Sequence, residues 1–179
     1  MKTRTLLLKG AAGWLGAVLV LSGCGYTNKV VLPNHIRTIY VDTVKNEIPV
    51  QSVYAYQAGL EIDITNAIVH RLNIDGNLKV TDRAGADAIL ECSLIEYSQG
   101  GVRFTRLERV GEYRLYVTIR MRLTDAKTGT VIWEEDQMTG DSEYEVDEKG
   151  VPEIARDEAS KRAIERLARN VVDRIVEDW

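Results

Sequence analysis

From Glu112 to Thr124 the chain alternates without a break: Tyr113, Leu115, Val117, Ile119, Met121 and Leu123 fall on one side, and Arg114, Tyr116, Thr118, Arg120 and Arg122 on the other. Successive side chains of a β-strand point to opposite faces, so this stretch predicts a strand with one face in a core and the other polar and open. Lys127-Thr128-Gly129 predicts a hairpin turn, with Gly129 free to take a positive φ. Thr130 to Met138 is the expected return strand. A sheet with one apolar face needs a layer to cover it, and that layer is found at both ends of the chain.

Leu60, Ile64, Ala67, Ile68 and Leu72 fall on one stripe at the helical period, and Asp75-Gly76-Asn77 supplies the stop. A second helix is expected after Pro152 and Glu153, where Ala155, Ala159, Ala163, Leu167, Val171, Ile175 and Trp179 repeat every four residues. Its flanking Ile164, Ala168, Val172 and Val176 widen the stripe enough to lie on a sheet, and the early alanines permit close approach. Further strands are expected at Ile36 to Val44, at Leu78 to Asp82 and at Ala86 to Tyr97, the last ended by Gln99-Gly100-Gly101. Tyr26 to Asn34 reads as a tether broken by Leu32-Pro33. Lys45 to Tyr56 reads as a loop, with Tyr54 and Tyr56 expected to pack on the domain. The expected fold is α+β: a four- to five-stranded mixed or antiparallel sheet with two helices packed on one face (β-α-β-β-β-α).

The N-terminus constrains location. Lys2, Arg4 and Lys9 precede an apolar run from Gly10 to Leu21, which is shorter than the ~20 residues of a membrane span. Leu21-Ser22-Gly23-Cys24 then resembles the end of a bacterial lipoprotein signal, which implies cleavage before Cys24 and acylation of that residue. The expected divisions are a signal peptide at 1–23, a lipidated tether at 24–34 and a folded domain at 35–179. Several acyl chains on one residue bind a membrane durably where one binds marginally. Gly25 stands where lipoprotein sorting places Asp for inner-membrane retention, so the expected location is the periplasmic face of the outer membrane.

Without residues 1–23, which hold Lys2, Arg4 and Lys9, the remaining 156 residues carry 20 basic and 27 acidic side chains, a net charge of −7. Such a balance argues against a nucleic-acid partner. With Cys24 acylated, Cys92 has no partner in the chain. It alternates with Ala88, Leu90 and Leu94, so it is expected in the core. His35 and His70 have no zinc spacing, and His70 is expected on a solvated helix surface. No phosphate loop or serine elbow is present. The acids at Glu134, Glu135 and Asp136, and from Asp141 to Glu148, lack calcium-loop spacing. The chain therefore reads as non-catalytic, without metal or cofactor. Six arginines nevertheless fall between positions 103 and 122. Arg120 and Arg122 are positioned to face Glu134, Glu135 or Trp133 across the hairpin. Arg103, Arg106 and Arg109, together with Arg114, are the candidate site for an anionic glycolipid, since guanidinium forks suit phosphate and carboxylate.

These residues resemble the LptE family of lipopolysaccharide-assembly lipoproteins. The resemblance lies in Cys24-Gly25-Tyr26, Leu32-Pro33, Ile36-Arg37-Thr38-Ile39-Tyr40-Val41 and Asn46. It continues in Gly59-Leu60-Glu61, Leu78-Lys79-Val80 and Ala86-Asp87-Ala88-Ile89-Leu90. It implies two helices against a four-stranded sheet, and a role as plug and partner of the outer-membrane barrel LptD in lipopolysaccharide transport to the outer leaflet. The stretch from Glu47 to Gln57 is longer than the resemblance implies. The alternative class is a periplasmic lipoprotein adaptor that activates a cell-wall synthase or scaffolds an envelope complex.

Overall fold

Three long strands organise the molecule. A computed structural model describes residues 35–49, 58–104, 110–146 and 153–176. Cys24, Leu32-Pro33, Tyr54, Tyr56, Arg106 and Arg109 lie outside them. In chain order the elements are β1 (Thr38–Val41), β2 (Lys45–Asn46), α1 (Leu60–Asp75), β3 (Lys79–Val80), β4 (Ala88–Phe104), β5 (Val110–Asp125), β6 (Val131–Glu145) and α2 (Glu153–Val176). The sheet runs β3-β1-β4-β5-β6, with β2 pairing β4 beside β1. It is mixed: β1 and β2 pair β4 in parallel, while β4, β5 and β6 form an antiparallel meander. The two extra residues that pair at β2 make six strands, one more than the alternation predicts.

The core is the predicted face of β5 under the two predicted stripes. Leu115, Val117, Ile119, Met121 and Leu123 are buried, as are Leu60, Ile64, Ile68 and Leu72 of α1 and Ala159, Ala163, Leu167, Val171 and Ile175 of α2. Cys92 lies among them, and burial pushes its thiol up to about 12, with the nearby Glu91 charge adding to the effect. α1 begins at Gly59, φ 100°, and ends at Gly76, φ 79°, whose N–H donates to Leu72 O at 3.0 Å. α2 lies on β5 and β6 and packs against α1. Its approach is closest at Gly140. A Cβ there would stand 2.5 Å from Leu167 N and 2.6 Å from Leu167 Cβ, and would collide with Ala163 O.

Two strands outrun their expected ends. Gln99-Gly100-Gly101 does not stop β4, because each residue keeps a partner on β5: Leu115, Arg114 and Tyr113. Glycine weakens a strand locally without removing its hydrogen bonds. Likewise β6 continues past Met138 into the acidic stretch, where Asp141 and Glu143 pair with Tyr116 and Arg114. At rises of about 3.3 Å and 1.5 Å per residue, β4 is roughly 56 Å long and α2 roughly 36 Å. At the far end of β4, Gly100 to Phe104 are all exposed.

Candidate functional site on the open sheet face

On the face of β5 away from the helices, guanidinium groups flank two hydroxyls in a single column: Arg114, Tyr116, Thr118, Arg120 and Arg122. Arg122 lies opposite Glu134 in register, with Nε 2.5 Å from its carboxylate. Arg120 reaches Glu47 at 3.3 Å and Asp136 at 3.8 Å. Thr118 and Thr139 share a hydroxyl bond of 2.9 Å between the arginine groups. Arg114 donates from Nε to Glu143 at 2.8 Å and stands 3.7 Å from Asp141. Its guanidinium is held above its ordinary range chiefly by the hydrogen bond to Glu143, then by that residue's charge. Arg103, at the end of β4, lies 3.4 Å from Glu112 and 3.1 Å from Glu145.

Four arginines therefore meet seven carboxylates, and the set carries a net charge of −3. The cross-strand pairing expected for Arg122 is present. For Arg120 the partners are different: Glu47 comes from the far side of the sheet, 73 residues away. Trp133 and Glu135 face the helices instead. Trp133 is buried with the Arg174 guanidinium 5.4 Å from its ring centroid, and Glu135 lies 3.8 Å from Arg174. The β5–β6 register explains this, since Trp133 stands opposite Leu123 and Glu135 opposite Met121 on the core face. Of the four candidate glycolipid arginines, Arg103 and Arg114 lie along the same projecting end of the sheet. The partners of Arg114 were hidden because the strand signal of β6 fades at Gly140.

The other end of the sheet carries a second polar cluster that residue spacing did not reveal. Asp87 Oδ2 accepts from Arg37 N at 3.1 Å, Thr38 N at 3.2 Å and Thr38 Oγ1 at 2.9 Å, while Lys127 Nζ approaches Oδ1 at 2.7 Å. These bonds, that from Lys127 foremost, hold its carboxyl well below the usual range. Asp125 Oδ1 accepts from Lys127 N at 2.8 Å and Thr128 N at 3.0 Å, and His35 Nε2 lies 2.7 Å from Oδ2. The Thr128 amide first, and His35 next, lower the Asp125 carboxyl to about 2. Gly129, φ 71°, completes the predicted turn. The cluster ties the start of the domain to the β5–β6 turn, so its arrangement is that of a clasp. Among the described residues no group of three or more His, Cys, Asp or Glu side chains is placed to hold a metal ion. No described helix is long and apolar enough to cross a membrane.

Comparison with known proteins matches this architecture. A protein from Xanthomonas campestris superposes with a TM-score of 0.61 at 8% identity, over 83% of this chain and 90% of that one. A hypothetical protein from Chlamydia trachomatis gives 0.51 at 12% identity, over 78% and 95%. At such identities the likeness is one of fold. No curated protein sequence matches. The model of the lipopolysaccharide-assembly family LptE, however, matches residues 36–179, nearly the whole folded domain. The chain belongs to the LptE family.

Proposed function

We propose that the chain is an outer-membrane lipoprotein, cleaved before Cys24 and acylated there, that partners an LptD-like barrel and assists lipopolysaccharide assembly from the periplasmic side. The observation that carries this reading is the family match across residues 36–179. The polar open face supports a role in binding, with no catalytic step and no cofactor. The test is co-purification from envelope membranes in mild detergent through a tag after Trp179. A lipopolysaccharide-transport barrel in stoichiometric yield is expected. A cell-wall synthase or envelope scaffold in its place would establish the adaptor alternative, and recovery of no barrel would overturn the reading.

Within that role, Arg103, Arg106, Arg109 and Arg114 are the groups we assign to the phosphates of the glycolipid. Arg103 and Arg114 already hold carboxylates, but exposed ion pairs contribute only ~0–1 kcal/mol each, so phosphate can displace them at little cost. The charge-reversed pair Arg103→Glu with Arg106→Glu should weaken glycolipid binding while leaving the thermal midpoint within about 2 °C. Glu143→Gln with Glu145→Gln removes two of the four competing carboxylates, leaving Glu112 and Asp141, and should strengthen it about 2- to 5-fold, within the worth of the pairs removed. Unchanged binding in both variants would remove these arginines from the site.

A further inference from the structure

The two edges of the long-strand meander are treated differently. At the outer edge of β6, α2 reaches over and occupies the backbone. Asn170 Nδ2 donates to Thr139 O at 2.9 Å and Arg162 to Glu143 O at 3.1 Å, while Arg166 holds the Asp141 side chain at 2.9 Å. These side chains stand where an added strand would have to lie. The opposite edge of β4 is covered only at its beginning. β1 takes Ala88 to Leu90, β2 takes Ser93 and Leu94, and Glu47 N donates to Leu94 O at 2.8 Å. From Glu96 to Phe104 no described strand pairs with it.

Sheet edges are ordinarily guarded by lysine, proline, bulges or a covering element. Register irregularities lie between Leu94 and Glu96 and beyond Gly101, which leaves the six residues from Glu96 to Gly101 in regular register. That is the length of an ordinary strand. The segment contains neither lysine nor proline. Its one charged side chain, Glu96, is exposed and accepts from Ser98 Oγ at 2.7 Å, with no cation in ion-pair contact among the described residues. Just beyond it stand two of the most exposed apolar side chains described, Val102 at 47% and Phe104 at 64%.

We propose that this edge is the docking site for an extended segment of a partner protein, which adds a strand to β4 between Glu96 and Gly101, sets a basic residue against Glu96 and lays apolar side chains on Val102 and Phe104. Main-chain hydrogen bonds supply the affinity in such strand addition, and the flanking side chains supply the choice of partner. The guarded β6 edge confines docking to one side of the sheet. A second copy of the chain fits the charge poorly. Two-fold pairing centred on the segment sets Glu96 opposite Gly101, which offers no cation at that position. The proposal stands whether or not the partner is a barrel.

The probe is a pair of seven-residue peptides, acetyl-Lys-Thr-Val-Thr-Val-Thr-Val-amide and its counterpart with Glu for Lys, titrated into the full chain in mild detergent. The expected result is at least tenfold slower hydrogen exchange at outward amides between Glu96 and Gly101 with the lysine peptide. The glutamate peptide should bind at least 5-fold more weakly. Glu96→Lys, an exposed substitution whose fold is checked by unchanged exchange in β5, should reverse that order. Unchanged exchange at millimolar peptide, protection at β6 instead, or an unreversed preference would each overturn the proposal. So would a free chain that sediments as a dimer with these amides already protected.

Discussion

At the Ala88–Asp125 end of the β4–β5 ladder, every layer is present: β1 pairs alongside, Leu90 and Leu123 are fully buried, and Asp87 and Asp125 clasp neighbouring segments. At the Gly101–Tyr113 end the cover thins on β4, where Gly100 to Phe104 are all exposed. Phe104 and Val102 face water, while close by Tyr113 stacks on the buried Tyr144 with ring centroids 5.6 Å apart. One ladder thus serves as core at one end and as a projecting arm at the other. Hydrogen-bonded pairing continues along both, so pairing alone does not decide stability. Covering decides it, because burial of apolar area is the larger contribution.

The contrast is most sharply broken by adding one methyl group. Gly140→Ala drives a Cβ into Ala163 O and Leu167 N, groups that move only if α2 moves, and should cost about 3 kcal/mol or more in chemical denaturation. Gly101→Ala meets only the Val110 methyls, at 3.0 and 3.1 Å, which can turn aside; its cost should stay below about 1 kcal/mol. Equal losses at the two glycines would erase the distinction between covered sheet and arm. Truncation gives a comparable test. Leu90→Ala should cost ~2–5 kcal/mol, whereas Phe104→Ala should lie within about 0.5 kcal/mol of the parent.

Acid should separate the two ends more gently. The folded carboxyl of Asp125 sits at about 2, below its ordinary value of 3.8. Its contribution is therefore fully present above that ordinary value and is lost as pH falls from about 4 through 2. Asp87 is lowered as well and acts in the same direction. Protection factors for amide exchange at Lys127 and Thr128 should fall across that window, while those of Gly101 and Tyr113 on the arm stay as they are at pH 7. Asp125→Asn should abolish the acid step at the turn.

Much of the covered region was legible because it obeys one rule at a time. Leu115 to Leu123 follow the strand period, Leu60 to Leu72 and Ala159 to Ile175 follow the helix period, and each set is buried as its period requires. The arm was not legible, since Gly100 and Gly101 read as a stop when a single strand is considered alone. Their partners on β5 are what keep them extended. The ion pairs divide in the same way. Arg122 and Glu134 lie across one short turn, so spacing suffices, whereas Arg120 finds Glu47 only through the parallel placement of β2. The clasp of Asp87 joins Arg37, Thr38 and Lys127 from three segments and leaves no local pattern to read.

Gly140 carries a consequence for how this chain can change over generations. Two of the three nearest atoms to a Cβ there are backbone atoms of α2, Ala163 O and Leu167 N. No exchange of α2 side chains makes room for them, so a search for second-site suppressors of a Gly140 substitution should return shifts of the helix as a whole and no local compensation. The position is closed to drift by the path of the backbone above it.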